Sequence, residues 1–389
     1  MRVLHFKTTM RLEDGGVVKA VLDLVQMRAH THDVGLATLD AGGTPESWRD
    51  GSATNIRIHE LQGSPGLAQT LTSKQLRALE ALIREYDVVH LHSMWPPANP
   101  QIAKLCRELG KPYILSVHGM LDDWCMSQRR GKKMLYMRSW GRNLLRDAHT
   151  VHCTAQAELE QASAWFDPEK GVSVPLPFDL SEYEVLPDEE LAYASFDGLS
   201  RERPKVLFLS RIHYKKGVDR LIKASALLAQ RGVRHQLVIA GTGDEEYVQE
   251  MKSLAKAQGV EGHTYFLGFA SGEPKVALFK ACDLFVLPTS QENFGFVFFE
   301  ALAAGTPVLT TKGTDTWPEI EQSGGGVIAD NTPEAFAQHL EGLLGDLDKL
   351  RSMGGAGREW VRREMAIDQI IDAYNAMYQR CAGSMAGGA

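Results

Sequence analysis

The chain has 389 residues, 44% hydrophobic and 23% charged, which excludes a mainly disordered protein and exceeds what a single core usually serves. Its 42 basic and 49 acidic residues give a net charge of -7, so nucleic acid is disfavoured as the main partner. Five cysteines (Cys106, Cys125, Cys153, Cys282, Cys381) in no ligand spacing, and no apolar run near the roughly 18 residues of a spanning helix, predict reduced thiols and a cytoplasmic protein with at most peripheral membrane contact.

Short β-branched runs alternate with helical patterns from the start. Strands are predicted over 2–6, 33–39, 55–61, 87–93, 112–118 and 149–155, with helices such as VVKAVLDLVQMRA and ANPQIAKLCREL between them. This alternation predicts βαβ units and a parallel sheet. Gly15 and Gly16 fall in the first strand-to-helix loop, where the missing side chains would let a phosphate or an acceptor approach the helix N-terminus; a plain flexible loop is the alternative. His90 and His92, in VVHLHSMW, are read as pointing to opposite faces of their strand, one in the core and one lining a cleft, and not as a metal pair. The run from Arg129 to Arg146 interleaves Arg130, Lys132, Lys133, Arg138 and Arg142 with Met134, Leu135, Trp140, Leu144 and Leu145. It reads equally as a basic amphipathic helix for anionic lipid or as a solvated helix packed on the sheet.

Prolines 175, 177, 187 and 204 and an acidic cluster then interrupt the pattern, giving an N-terminal domain over 1–178 and a linker over 179–204. The alternation restarts with KVLFLS, HQLVIAG, TYFLGF, DLFVLPTS, TPVLTT and GGVIAD, a second domain over 205–365. The segment 366–389 reads as a last helix crossing back to the first domain, with a fraying tail. Two doubly wound domains of this kind bind ligands at the carboxyl ends of their strands, with a central cleft as the natural site.

In the second half, SRIHYKKGVDRLI puts Arg211, Lys215 and Lys216 in a strand-to-helix loop, which suits a diphosphate, a solvated basic turn being the alternative. LVIAGTGDEEY carries Gly241 and Gly243 but Glu246 where a dinucleotide fingerprint needs its third glycine, so a tight turn with Asp244 near the helix start is as good a reading as a binding loop. Glu292 and Glu300 flank a loop and an apolar helix in ENFGFVFFEALAAGTPVLTT, two turns apart and rotated by roughly 80° on helical geometry. Carboxylates so spaced could each hold a pair of adjacent hydroxyls.

From Arg211 to Asp330 these motifs in series resemble the nucleotide-sugar domain of retaining glycosyltransferases of family 4, above all in the E-x7-E element from Glu292 to Glu300. The resemblance implies the α/β GT-B fold: two Rossmann-like doubly wound parallel-sheet domains facing a central cleft. It implies that Arg211 and Lys216 neutralise the donor diphosphate and that Glu292 binds sugar hydroxyls with the backbone N–H groups of Phe294, Gly295 and Phe296. Glu300 would hold the ribose, Gly268 and Phe269 would face the base, and Gly241 would lie at the nucleotide. In the first domain it implies that Gly15 and Gly16 face the donor and that His118, at the end of YILSVH, meets the reacting sugar.

No DxD element appears, LDDW lacking the intervening residue, so neither metal nor cofactor is expected; the nucleotide-diphosphate sugar is a substrate. The resemblance thus implies a retaining hexosyltransferase working by front-face attack, with a UDP-sugar favoured as donor and GDP-mannose as the alternative. The acceptor expected is a glycan or polyprenyl-linked glycan in surface polysaccharide assembly, and the enzyme is cytoplasmic or peripheral on the inner face of the membrane. A nucleotide-sugar epimerase of the same fold and a non-catalytic nucleotide-sugar binding protein are the rival readings.

Overall fold

In the computed structural model, residues 1–383 are described apart from 15, 30, 31, 54, 65, 67, 68 and the side chain of residue 12. Gly15 and all but Gly383 of the expected fraying tail GSMAGGA therefore lie outside the described residues. The chain divides into two compact units, Met1–Phe178 joined by the C-terminal segment from Ile367, and Asp179–Ala366.

The first unit is built on a sheet of seven parallel strands: β1 (Val3–Phe6), β2 (Val34–Thr38), β3 (Ile56–Glu60), β4 (Val88–His92), β5 (Tyr113–Ser116), β6 (Thr150–Cys153) and β7 (Gly171–Ser173). Their order is β3-β2-β1-β4-β5-β6-β7. The runs VLHF, VGLAT, VVHLH, YILS and TVHC are buried along their whole length, as strands covered on both faces must be. Only β7 had no forecast, because three residues beside a proline-rich stretch carry little periodicity. Helices cover both faces, for example Ser73–Glu85, closed at its start by a Thr72–Gln75 capping box. The last helix, Ile367–Gly383, packs in this unit against β4.

The second unit holds six parallel strands: β8 (Lys205–Leu209), β9 (Gln236–Ala240), β10 (Thr264–Gly268), β11 (Leu284–Val286), β12 (Val308–Thr311) and β13 (Gly326–Ala329), ordered β10-β9-β8-β11-β12-β13. The segment 179–204 carries the short helices Ser181–Glu184 and Glu190–Ser195, the second packed on helix Gly272–Ala281 of the same unit. In each sheet the order reverses once, at β1/β4 and at β8/β11, and loops leaving those strand ends diverge to opposite faces. Those reversals set the place of the residues below.

Candidate functional site

In the second unit, β8 runs into exposed Arg211 and a turn of 3-10 helix, Tyr214–Lys216, where His213 Nδ1 accepts from the Lys215 N–H at 3.3 Å. Gly217 then takes a left-handed φ of +77°, and a Cβ there would press on the Pro288 carbonyl. That close approach brings the loop after β8 against the loop after β11. Arg220 fastens the two, donating to the Pro288 carbonyl at 2.7 Å and to Ser290 Oγ at 3.0 Å, while the Ser290 N–H donates to the Lys215 carbonyl at 2.7 Å. Lys216, buried, reaches across and donates to Glu292 Oε2. Burial, then the charges of Arg211 and Lys215, pulls the Lys216 ammonium down to about 8, with the bonded carboxylate acting in the opposite sense.

Glu292 is not on a helix, which corrects the rotation expected between the two glutamates. It lies in a bridge to Thr314, its N–H donating to the Gly313 carbonyl at 2.7 Å and its carbonyl accepting from Asp315 at 3.0 Å. Gly295, at a left-handed φ of +67°, turns the chain into helix Phe296–Ala303; a Cβ would meet Phe298 at 2.6 Å and Glu292 Cγ at 3.0 Å. Phe294 and Phe296 pack edge-on at 4.9 Å, Phe294 inward against Phe299. Glu300, inside the helix, accepts from Lys275 Nζ at 2.8 Å, and both side chains are 18% exposed. Each glutamate therefore has its own lysine. Buried Tyr183, from the segment expected to be a linker, has its hydroxyl pushed up by burial and then by the Glu300 charge.

Gly241 and Gly268 meet at the ends of β9 and β10, the Gly241 N–H donating to the Gly268 carbonyl at 2.6 Å. Gly241 has φ +134° and no room for a Cβ beside the Ser210 carbonyl, so the backbone itself demands glycine there. Gly268, at φ +76°, has open space around it, and Phe269 beside it is 72% exposed. Asp244 caps helix Glu245–Ala257 by accepting from the Tyr247 N–H at 3.3 Å.

In the first unit, Gly16 opens helix Gly16–Ala29 with nothing near its missing Cβ. His118 and Gly119 end the β5 run in a left-handed turn, φ +51° and +69°. The turn is held by fully buried Glu158, whose carboxylate accepts from the Gly119 N–H and, at 2.6 and 2.7 Å, from the Thr154 N–H and hydroxyl. Imidazoles His90 and His92 are stacked with centroids 4.2 Å apart. This corrects the expectation of opposite faces: residues two apart on a strand share a face. His92 Nδ1 is 3.1 Å from His118 Nε2, and burial, then His152 and Lys7, drives the His118 imidazole down to about 3.

Within the second unit, Arg211, Lys216, Gly241, Gly268, Phe269, Glu292, Phe294, Gly295, Phe296 and Glu300 all lie at carboxyl ends of strands or on the loops and helix that follow them. Gly16 and His118 follow β1 and β5 of the first. Sequence reasoning missed Lys275, Arg220 and Glu158, whose partners lie 25, 68 and 39 residues away and leave no local signal.

Residues 194–360 match the family described as Glycosyl transferases group 1, and residues 15–177 match the Glycosyl transferase 4-like domain, together most of the chain. The chain is 27% identical over 281 residues to an uncharacterized glycosyltransferase of Methanocaldococcus jannaschii, MJ1607, covering 68% of this chain and 67% of that one. It is 32% identical over 177 residues to the GDP-mannose-dependent alpha-(1-6)-phosphatidylinositol monomannoside mannosyltransferase of Mycobacterium tuberculosis, which covers 43% of this chain and 46% of that one. Among solved structures, Anabaena Alr3699/HepE in complex with UDP aligns with a TM-score of 0.77 at 20% identity, over 97% of this chain and 100% of that one.

Proposed function

Because the chain belongs to the glycosyltransferases of the GT-B fold, we propose that it is a retaining hexosyltransferase whose second unit binds a nucleotide-diphosphate sugar and whose first unit receives the acceptor. The observation that carries this reading is the pairing of each glutamate of the E-x7-E element with a lysine, Lys216 with Glu292 and Lys275 with Glu300, beside exposed Arg211. Arg211 and Lys216 take up charge on the diphosphate as the sugar–phosphate bond breaks, which is the work a cation would otherwise do. Glu292 and the backbone N–H groups at Phe294 to Phe296 hold sugar hydroxyls; Glu300 holds the ribose; Gly268 and Phe269 face the base. The acceptor hydroxyl attacks the face that the diphosphate leaves, and the departing phosphate oxygen takes its proton.

The donor we favour is a UDP-sugar, with GDP-mannose as its rival, and the acceptor a glycan or polyprenyl-linked glycan of surface polysaccharide assembly. A cytoplasmic enzyme seated on anionic membrane fits the segment Arg130–Asp147, which forms a helix with a π-helical turn at Met137–Gly141. Met137, Leu144 and Leu145 are buried, whereas Leu135 and Trp140 are 67% and 54% exposed beside Arg138 and Arg142. No helix among the described residues is long and apolar enough to cross a membrane.

Calorimetric titration with UDP, GDP and NAD tests the donor class, and NMR of the first-formed product from the matching nucleotide sugar reads its anomeric configuration. Saturable binding of UDP or GDP with retained configuration upholds the reading. NAD binding alone, or an inverted product, sinks it. Binding without transfer to any glycan acceptor selects the non-catalytic alternative, and a changed sugar on the recovered nucleotide selects the epimerase.

A further inference from the structure

Behind His118 lies a row of histidines that the transfer chemistry leaves unused. Sheet register puts His5 beside His90, His92 beside Ser116 and Ser116 beside His152. Because strand residues two apart share a face, all of these line one side of the sheet with His118. His5, His90 and His92 bring ring nitrogens within 4.8 Å of one another, a spacing a metal ion would accept. Every one of those nitrogens except His5 Nε2 already has a hydrogen-bond partner. The charged side chains that act on His5 and His92, Arg28 and Lys7, are cations, and the Glu158 carboxylate is occupied by Gly119 and Thr154. The donor set suits a hydrogen-bond relay better than a cation.

One branch assigns itself. His152 Nε2 is 2.8 Å from the Val174 carbonyl, which only accepts, so that nitrogen carries the proton. His152 Nδ1 must then accept from the Ser116 hydroxyl at 2.6 Å, Ser116 Oγ from His90 Nε2–H at 2.6 Å, and His90 Nδ1 from the Tyr378 hydroxyl at 2.6 Å. The second branch, His5 Nδ1 to His92 Nε2 at 3.0 Å and His92 Nδ1 to His118 Nε2 at 3.1 Å, could run either way. Its direction is set at the far end. His5 Nε2 is buried without a partner, and Arg28, whose guanidinium lies over the Tyr378 ring at 4.2 Å, acts as a positive charge on the His5 ring as a whole. Cations act at both ends of this branch, Arg28 on His5 and Lys7 on His92 and His118, so the orphaned nitrogen decides: a buried N–H without an acceptor costs more than a buried lone pair without a donor. The protons therefore sit on His5 Nδ1 and His92 Nδ1, both aimed toward His118.

We propose that His5 and His92 are positioning residues that hold His118 as its Nδ1–H tautomer, so that it meets the transferred sugar as a neutral hydrogen-bond donor to an oxygen, not as an acid or a cation. This rests on the reading above that His118 faces the sugar. Burial of the whole row acts in the same sense, drawing His5 down to about 3 and lowering His92 as well.

The test is a long-range proton–nitrogen NMR correlation on the full chain labelled at its histidine rings, with His118 identified by the peaks lost in His118→Gln. Expected are Nδ1–H patterns for His5, His92 and His118 and Nε2–H patterns for His90 and His152, unchanged from pH 6 to 8. An Nε2–H or titrating His118 overturns the proposal. In His5→Phe the His118 tautomer should become mixed, and in His5→Gln, whose amide can still donate to His92, it should return. A His118 that stays wholly Nδ1–H in His5→Phe also overturns it. If the tautomer is as stated but His118→Ala transfers sugar at the normal rate, the relay stands and the sugar-facing role of His118 falls.

Discussion

Replacing Glu300 by Gln separates two jobs that the same carboxylate could have, holding Lys275 in the protein and holding the ribose of a donor. The Lys275–Glu300 contact is 2.8 Å with both side chains 18% exposed. Exposed pairs contribute about 0–1 kcal/mol, whereas removing one partner of a buried pair costs about 3–5. For this half-buried pair we expect a loss of about 2 kcal/mol in Glu300→Gln and in Lys275→Met alike. In a unit of this size that lowers Tm by about 4–8 °C. The double variant should lose less than the sum of the two singles, giving a coupling of about 1–2 kcal/mol. Ligand affinity then discriminates. Losing one charged hydrogen-bond acceptor for the ribose should cost about 2 kcal/mol, which is about thirtyfold in Kd for UDP or GDP. Lys275→Met leaves the acceptor in place and should weaken binding by no more than about threefold. The assays are differential scanning calorimetry and titration calorimetry on the four proteins. If Glu300→Gln is destabilised as calculated yet binds UDP and GDP within twofold of the parent, Glu300 is only the structural partner of Lys275.

Lys216→Ala should depress kcat by at least about a hundredfold with the fold intact by circular dichroism, because a charge-stabilising donor of this kind contributes about 2.7–4 kcal/mol. Since the Lys216 ammonium is drawn to about 8, the charged form exists below that pH. Then kcat/KM should decline as pH rises through about 8 to 9, well before an ordinary lysine would titrate; a flat profile to pH 10 would remove Lys216 from the reaction. Gly241→Ala puts a Cβ into the Ser210 carbonyl at a φ of +134°. It should cost about 3 kcal/mol, a fall in Tm of about 6–12 °C, and an unchanged melting curve would mean that the turn has slack. Trp140→Glu should abolish sedimentation with phosphatidylglycerol vesicles while leaving transfer to a soluble acceptor untouched; equal sedimentation of both proteins would confine the basic helix to a solvated role.

Much of this protein could be read before any coordinate. Twelve of the thirteen strands among the described residues announce themselves as short β-branched or apolar runs between helical periods, and the two alternating blocks on either side of the proline-rich stretch mark two sheets. The placement of Arg211 and Lys216 on one strand-to-helix loop, and of Glu292 and Gly295 on the approach to one helix, was legible in the same way, because each is set by a few neighbouring residues. What failed were statements about distance through space. Glu292 lies in the loop before the helix as expected, but the rotation of roughly 80° between it and Glu300 does not hold, since Gly295 turns the chain between them. His90 and His92 share a face, as period-two geometry requires, and with it the whole histidine row was implicit in the strands once their register was known.

Local chemistry along the chain determined the elements, their parallel pairing and the kinds of side chain at each strand end, because hydrophobic periodicity and turn residues act over a few positions. The tertiary structure alone decided which polar group answers which: Lys275 to Glu300, Glu158 to the His118 turn, Tyr378 to His90. Those partners are separated by 25 to 288 residues, and only strand register and helix packing bring them within hydrogen-bond reach.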